Sequence, residues 1–124
     1  MLLVKAKLQS SPIHGIGLFA DEFIPRGTTV WKFLPGFDLS LPAEEVEKLP
    51  ESVQQFLSYY GFLDMNIRRW ILPVDDARFM NHSREPNLDF AAIDGLSASL
   101  ANRDIQPAEE ITEDYRYFAL EPRS

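Results

Sequence analysis

The chain opens on an alternation: Leu2, Val4, Ala6 and Leu8 are apolar, with Lys5 and Lys7 set between them. A period of two sends every second side chain to one face, so residues 2–8 are predicted to form a half-buried strand. Ser10-Ser11-Pro12 ends it. A second β-rich run, Thr28 to Phe33, follows a tight turn at Ile24-Pro25-Arg26-Gly27. The period then lengthens. Ser40 to Leu49 sets Leu41, Val46 and Leu49 roughly on one helical face, with Ser40 placed to cap and Pro42 in the first turn. Glu44 and Glu45 sit where a helix dipole favours negative charge. Pro50 interrupts, and residues 51–60 space Val53, Phe56, Leu57 and Tyr60 for a second short helix ended by Gly61. Strand patterning returns from Ile67 to Leu72, then in Leu88–Ala91 and Leu96–Asn102 on either side of Asp94-Gly95. The pattern predicts one mostly-β domain over residues 1–124, with a helical insert at about 40–61 and a tail over 116–124.

Composition narrows the classes. A chain of 124 residues can bury one core without staples, and 45% hydrophobic content with nine Phe argues for folding. There is no cysteine, which excludes disulfides, thiolate metal sites and Cys nucleophiles, and two histidines make a His-rich metal cluster improbable. No metal is expected. A net charge of −7 leaves no basic stripe to replace counterions on nucleic acid, and it favours basic partners instead. No run approaches the ~18 apolar residues of a membrane span, and the N-terminus lacks a signal-peptide core, so a soluble, cytoplasmic protein is expected.

Three stretches carry candidate chemistry. Gly15-Ile16-Gly17 can bring backbone close to a ligand, although Ala20 stands where a dinucleotide fingerprint needs its third glycine; read alone, it is equally a plain turn. Arg78-Phe79-Met80-Asn81-His82-Ser83-Arg84-Glu85-Pro86-Asn87 runs apolar anchors into a polar trio that needs hydrogen-bond partners if buried. Glu109, Glu110 and Glu113 precede Asp114-Tyr115, and as a charge run they are expected to be solvated.

In this order and spacing, His14–Ala20, Arg78–Asn87 and Ala101–Tyr115 resemble the SET-domain family of protein-lysine N-methyltransferases, over about Lys7 to Phe118. The resemblance implies several small β-sheets with a C-terminal pseudoknot, in a bare core without flanking domains. It implies S-adenosyl-L-methionine as cofactor and S-adenosyl-L-homocysteine as product. The backbone of Gly15, Ile16 and Gly17 would line the cofactor pocket, Asn81 would hold its amino-acid end, and the backbone of His82 would read the adenine. Tyr115 would be the catalytic residue at the base of a lysine channel, with Tyr59, Tyr60, Glu113 and Tyr117 as candidates for its walls. Arg69 or Trp70 are further candidates for lining the pocket. The implied substrate is a lysine-containing, basic protein.

The chain departs from the family pattern twice. Arg84 stands where many members place a zinc-binding cysteine, so a lid would come from Tyr117-Phe118-Ala119-Leu120 or from the second subunit of a homodimer. The cysteine-free core leans toward a bacterial or viral origin, with a nuclear location if eukaryotic. Two residues before Tyr115, where the family usually has Phe or Tyr, the chain has Glu113. That carboxylate either faces the channel or turns outward to the surface. If it faces the channel it favours the charged, unreactive amine, which leaves an alternative reading: a catalytically weak module that binds the cofactor or a basic peptide.

Overall fold

The computed structural model describes residues 1–114; Tyr115 and Tyr117, with the rest of the expected tail, lie outside the described residues. Strands β1 (Ala6–Ser10) and β2 (Ile16–Ala20) form an antiparallel pair, and the loop between them holds Gly15 and Ser11. Leu2, Val4, Ala6 and Leu8 all pack against the main core while Leu3, Lys5 and Lys7 are exposed, as the alternation predicts. Only the second half of that run is a regular strand. Its start is an isolated bridge from Leu2 to Trp31.

Strand β3 (Thr29–Lys32) joins β8 (Leu88–Ile93) and β9 (Leu96–Ala101) in a three-stranded sheet ordered β3-β9-β8. The β8–β9 hairpin closes through Asp94 (φ 53°) and Gly95 (φ 78°), the pair of positive angles that suits the right-handed twist of two strands. A second three-stranded sheet, ordered β4-β6-β5, contains β4 (Leu39–Pro42), β5 (Phe62–Asp64) and β6 (Arg69–Leu72).

The helical insert is smaller than the sequence suggests at its start. Helix α1 covers only Ala43–Val46, whereas α2 spans Glu51–Tyr60 as expected. Ser40 does not cap a helix. It lies in β4, paired with Ile71, and its hydroxyl accepts from Arg69 Nε at 2.7 Å. Pro42 disfavours helical angles in Leu41 before it, and β6 offers an edge that an extended 39–42 segment can pair with. On α2 the apolar spacing is real but only Leu57 is buried; Val53 and Phe56 remain exposed. Gly61 follows the helix with extended angles, not a left-handed cap. A Cβ there would sit 2.6 Å from the carbonyl oxygen of Ile71, so close approach of β6 requires the glycine.

Met80 and Ala77 anchor the next stretch in the main core beside Leu18, Ile105 and Ile111. Asp75 caps a single 3-10 turn at Asp76–Phe79 by accepting from the N–H of Ala77. Strand β7 (Asn81–His82) then pairs in parallel with β10 (Thr112–Glu113), and the N–H of Ser83 donates to Glu113 O at 2.9 Å. Two segments 31 residues apart in sequence, Asn81 pairing with Thr112 and His82 with Glu113, are thus laid side by side. The mostly-β architecture of several small sheets is the one the sequence predicts.

Candidate functional site

Asn81 is 2% exposed, so its amide must find partners within the protein. Its Nδ2 donates to the carbonyls of His14 (3.0 Å) and Ile16 (3.4 Å) and to Glu110 Oε2 (2.9 Å). The side chain therefore faces the glycine loop directly, and the second and third sequence stretches converge on the first. Gly17 is required by this convergence. A Cβ on Gly17 would collide with the Glu110 carboxylate and stand 3.0 Å from Asn81 Nδ2. Gly15 serves the loop differently, through a φ of 43° in the left-handed region.

Asn87, at the far end of the same stretch, is 1% exposed and does a second job. Its Nδ2 donates to Glu110 O at 2.8 Å and its Oδ1 accepts from the N–H of Thr112 at 2.9 Å. Those two bonds clamp the chain on either side of Ile111 and so set the register in which β10 meets β7. His82 lies between, with Nδ1 3.7 Å from Asp114 Oδ1, too long for a hydrogen bond but close enough for electrostatic contact. Because Ser83 supplies the N–H that pairs with β10, the backbone of His82 is turned toward the opposite edge.

On the other side of Met80 is a narrow cavity of about 40 Å³. Its walls include Trp31, Tyr59, Tyr60, Phe62, Arg78, Met80 and Glu113. A volume this small suits a slender chain better than a bulky ligand. Three of the proposed wall residues, Tyr59, Tyr60 and Glu113, thus meet at one cavity. Glu113 faces it rather than bulk solvent, with Oε1 accepting from Ser99 Oγ at 3.2 Å. Arg69 and Trp70 are not among its lining residues: Arg69 is held by Ser40, and Trp70 packs beside the small cluster of Val46, Leu57 and Leu72.

The loop and the cavity are adjacent. His14 Nε2 and the Tyr59 hydroxyl share a hydrogen bond of 2.8 Å, and their rings meet edge-on at 6.1 Å. Tyr59 packs at 4.7 Å against Tyr60, whose face carries the Arg78 guanidinium at 5.3 Å; Phe79 holds the same guanidinium at 4.9 Å. Two buried nitrogens beside the cavity, Trp31 Nε1 and Arg78 Nε, have no hydrogen-bond partner among the described residues. Sequence reasoning missed Trp31, Ser11 and Glu110 as parts of this region, and it gave Arg78, at the head of a candidate stretch, no role of its own. Trp31 sits in an ordinary β-rich run, and Glu110 looks like one member of a solvated charge run, so nothing local marks either.

Among the described residues no group of His, Asp and Glu is arranged to hold a metal ion, and no helix is long and apolar enough to cross a membrane.

The chain is similar to several known proteins. It is 34% identical, over 89% of its length, to a Plasmodium falciparum protein named "Putative histone-lysine N-methyltransferase 1". It is also 34% identical, over 90% of its length, to a Mycosarcoma maydis histone-lysine N-methyltransferase described as H3 lysine-4 specific. The chain spans 2% and 8% of those two proteins, respectively. Its fold matches a crystal structure of a Plasmodium falciparum "putative histone methyltransferase" with a TM-score of 0.62, over 92% of this chain and 95% of the other at 23% identity. The SET-domain family model matches residues 15–116, which include the glycine loop, Asn81-His82 and the β10 segment. With most of its length matched to that model, the chain belongs to the SET-domain family.

Proposed function

We propose that this domain is an S-adenosyl-L-methionine-dependent protein-lysine N-methyltransferase acting on a basic protein. The observation that carries the reading is the adjacency of two unlike features. A backbone loop closed by Asn81 lies one hydrogen bond, His14 to Tyr59, from a narrow aromatic cavity. The first suits a polar cofactor end and the second suits the aliphatic stem of a lysine.

The residues present fit the cofactor. The carbonyls of His14 and Ile16 converge with the Asn81 amide and offer acceptors for an ammonium. We assign to the backbone of His82, next to Asn81 in β7, the reading of the cofactor's adenine edge. When bound, the cofactor would supply an electrophilic methyl on a sulfonium: a neutral amine would form the N–C bond in line as the C–S bond breaks, and the thioether would leave as S-adenosyl-L-homocysteine.

What the protein adds is position and desolvation. A lysine near its reference pKa of 10.4 is protonated at pH 7, and freeing its lone pair costs roughly 4.6 kcal/mol. Trp31, Tyr59, Tyr60 and Phe62 replace water around the amine and disfavour its charged form. Glu113 acts in the opposite sense. Its carboxylate attracts the incoming ammonium and raises the cost of deprotonation. Tyr115 directly follows Asp114 in the chain, and we assign it the role of orienting the amine through its hydroxyl. Tyr117, in the tail, is proposed as a further wall of the channel.

Glu113 also supports a second reading, in which the cavity holds a lysine side chain of a basic peptide with little transfer. One experiment separates the two. The protein is incubated with methyl-labelled cofactor and a histone mixture, and label on lysine is measured by mass spectrometry. Label is expected from the wild type and should fall at least about a hundredfold in Tyr115→Phe, with cofactor affinity by calorimetry nearly unchanged. Cofactor binding without any label in the wild type would favour the binding module. Loss of binding in Tyr115→Phe would make Tyr115 structural.

A further inference from the structure

Glu110 is the one carboxylate of its run that crosses to the glycine loop. Ser11 Oγ lies 2.7 and 2.9 Å from its two carboxylate oxygens, and Asn81 Nδ2 donates to Oε2 at 2.9 Å. The same Ser11 hydroxyl accepts from the N–H of Ile13 at 3.0 Å, and the N–H of Ser11 donates to Gly15 O at 2.8 Å. A relay therefore runs from Glu110 through Ser11 into residues 13–15, while a second branch runs from Glu110 through Asn81 to the carbonyls of His14 and Ile16.

The anchor itself is fixed. Glu110 bridges Phe19 of β2, its carbonyl is held by Asn87, and the N–H of Ile111 donates to Leu18 O at 2.8 Å. Its carboxylate occupies the space that a side chain at residue 17 would need. Neither oxygen points to a cation. Among the described residues its carboxylate is bonded by Ser11 and Asn81, neutral donors on the loop side of the site.

We infer that Glu110 is a positioning residue for the cofactor loop: through Ser11 and Asn81 it pre-orders residues 11–17 in the conformation that receives the cofactor. The inference rests on the proposed cofactor reading for its functional consequence, but not for its structural one. Carboxylate acceptors form stronger hydrogen bonds than neutral oxygens, so a single charged group can hold two donors on different segments. A loop already ordered before binding loses less conformational freedom on binding, which raises affinity without any direct contact to the ligand.

The test uses Glu110→Gln, Ser11→Ala, the double variant and Ser11→Thr, with two readouts. The first is amide hydrogen exchange of Ile13 in the free protein, referenced to the core amides of Ile24 and Ile105, which bond one another in an isolated antiparallel bridge at 2.9 and 2.8 Å. The second is the calorimetric dissociation constant for S-adenosyl-L-methionine. Both single variants should speed Ile13 exchange and weaken binding by about tenfold, the scale of one charge-assisted hydrogen bond. The core amides should stay protected, Ser11→Thr should restore wild-type behaviour, and the double variant should be little worse than either single one. Unchanged Ile13 exchange and affinity in Ser11→Ala would overturn the inference, as would a Glu110→Gln protein in which loop and core amides loosen together. A wild type that binds no cofactor would sink the functional reading instead, and the exchange comparison would still decide whether Glu110 orders the loop.

Discussion

The two halves of the candidate site handle buried polarity in opposite ways. On the loop side, Asn81, Asn87 and Glu110 are bonded to backbone, to the Ser11 hydroxyl and to one another through at least seven contacts, and the protein supplies every one. On the cavity side, Trp31 Nε1 and Arg78 Nε are buried with no hydrogen-bond partner among the described residues, and four aromatic side chains contribute to the walls. A satisfied polar network in a low-dielectric interior rigidifies what it touches, whereas an orphan donor costs free energy that only a change of state recovers. The difference separates a frame that sets geometry from a slot whose stability has been partly given up. Mutations on the two sides should therefore fail differently.

The largest expected effect lies on the frame. Asn81→Ala removes the shared donor from two carbonyls and a carboxylate at a site that is 2% exposed. Stranding buried acceptors costs about 1–3 kcal/mol for each group left unpaired. Because water reaches part of the loop, a total near 3 kcal/mol is expected in denaturant unfolding, with loss of cofactor binding as well. A variant that unfolds at the wild-type midpoint would show that the network frames nothing.

Gly17→Ala attacks the same frame by sterics rather than by bonding. The added methyl would have to displace the Glu110 carboxylate, and overpacking of this kind costs roughly 1–3 kcal/mol. The sharper prediction is suppression: Gly17→Ala combined with Glu110→Ala should be more stable than the sum of the two single losses implies, because the double variant relieves the collision. Strict additivity in thermal unfolding would mean that the methyl is accommodated elsewhere.

The same contrast explains which parts of the molecule were legible in the sequence. Local chemistry was readable: Asp94-Gly95 announced the β8–β9 hairpin, residues 51–60 announced α2, and the alternation of Leu2 to Leu8 gave the right inward face. Motif order was enough to point to the fold and to the loop that Asn81 closes. What was not readable depends on pairing between distant segments. Ser40 carries every local mark of a helix cap, yet β6 recruits residues 39–42 as a strand. Glu109, Glu110 and Glu113 look alike in a charge run. The clamp of Asn87 on both sides of Ile111 turns Glu110 to the loop, and the β7–β10 register turns Glu113 to the cavity. No window of sequence contains that information.

On the cavity side the expected effects are on chemistry more than on stability. Glu113→Phe and Glu113→Tyr replace a carboxylate at the slot that accepts a 3.2 Å hydrogen bond from Ser99. Removing the charge lowers the cost of a neutral amine there, and the larger ring narrows the space for added methyls. Under the proposed activity the ratio of mono-, di- and trimethylated product should shift in both variants. Unchanged product spectra would remove Glu113 from the channel.

The smallest effect should come from Arg78→Met, and it discriminates most directly between frame and slot. The substitution deletes the orphan Nε, which is stabilising by up to the cost of one unpaired buried donor, about 1–3 kcal/mol. It also deletes the stacking of the guanidinium on Tyr60 and Phe79, two contacts worth roughly 0.5–2 kcal/mol each depending on their desolvation. The two changes are of opposite sign and similar size, and Met keeps an unbranched stem that fills much of the same space. The net change in unfolding free energy should fall within about 1 kcal/mol of zero. A loss above about 2 kcal/mol would mean that Arg78 is held by more than its aromatic neighbours, and that the cavity wall is as much a satisfied frame as the loop it adjoins.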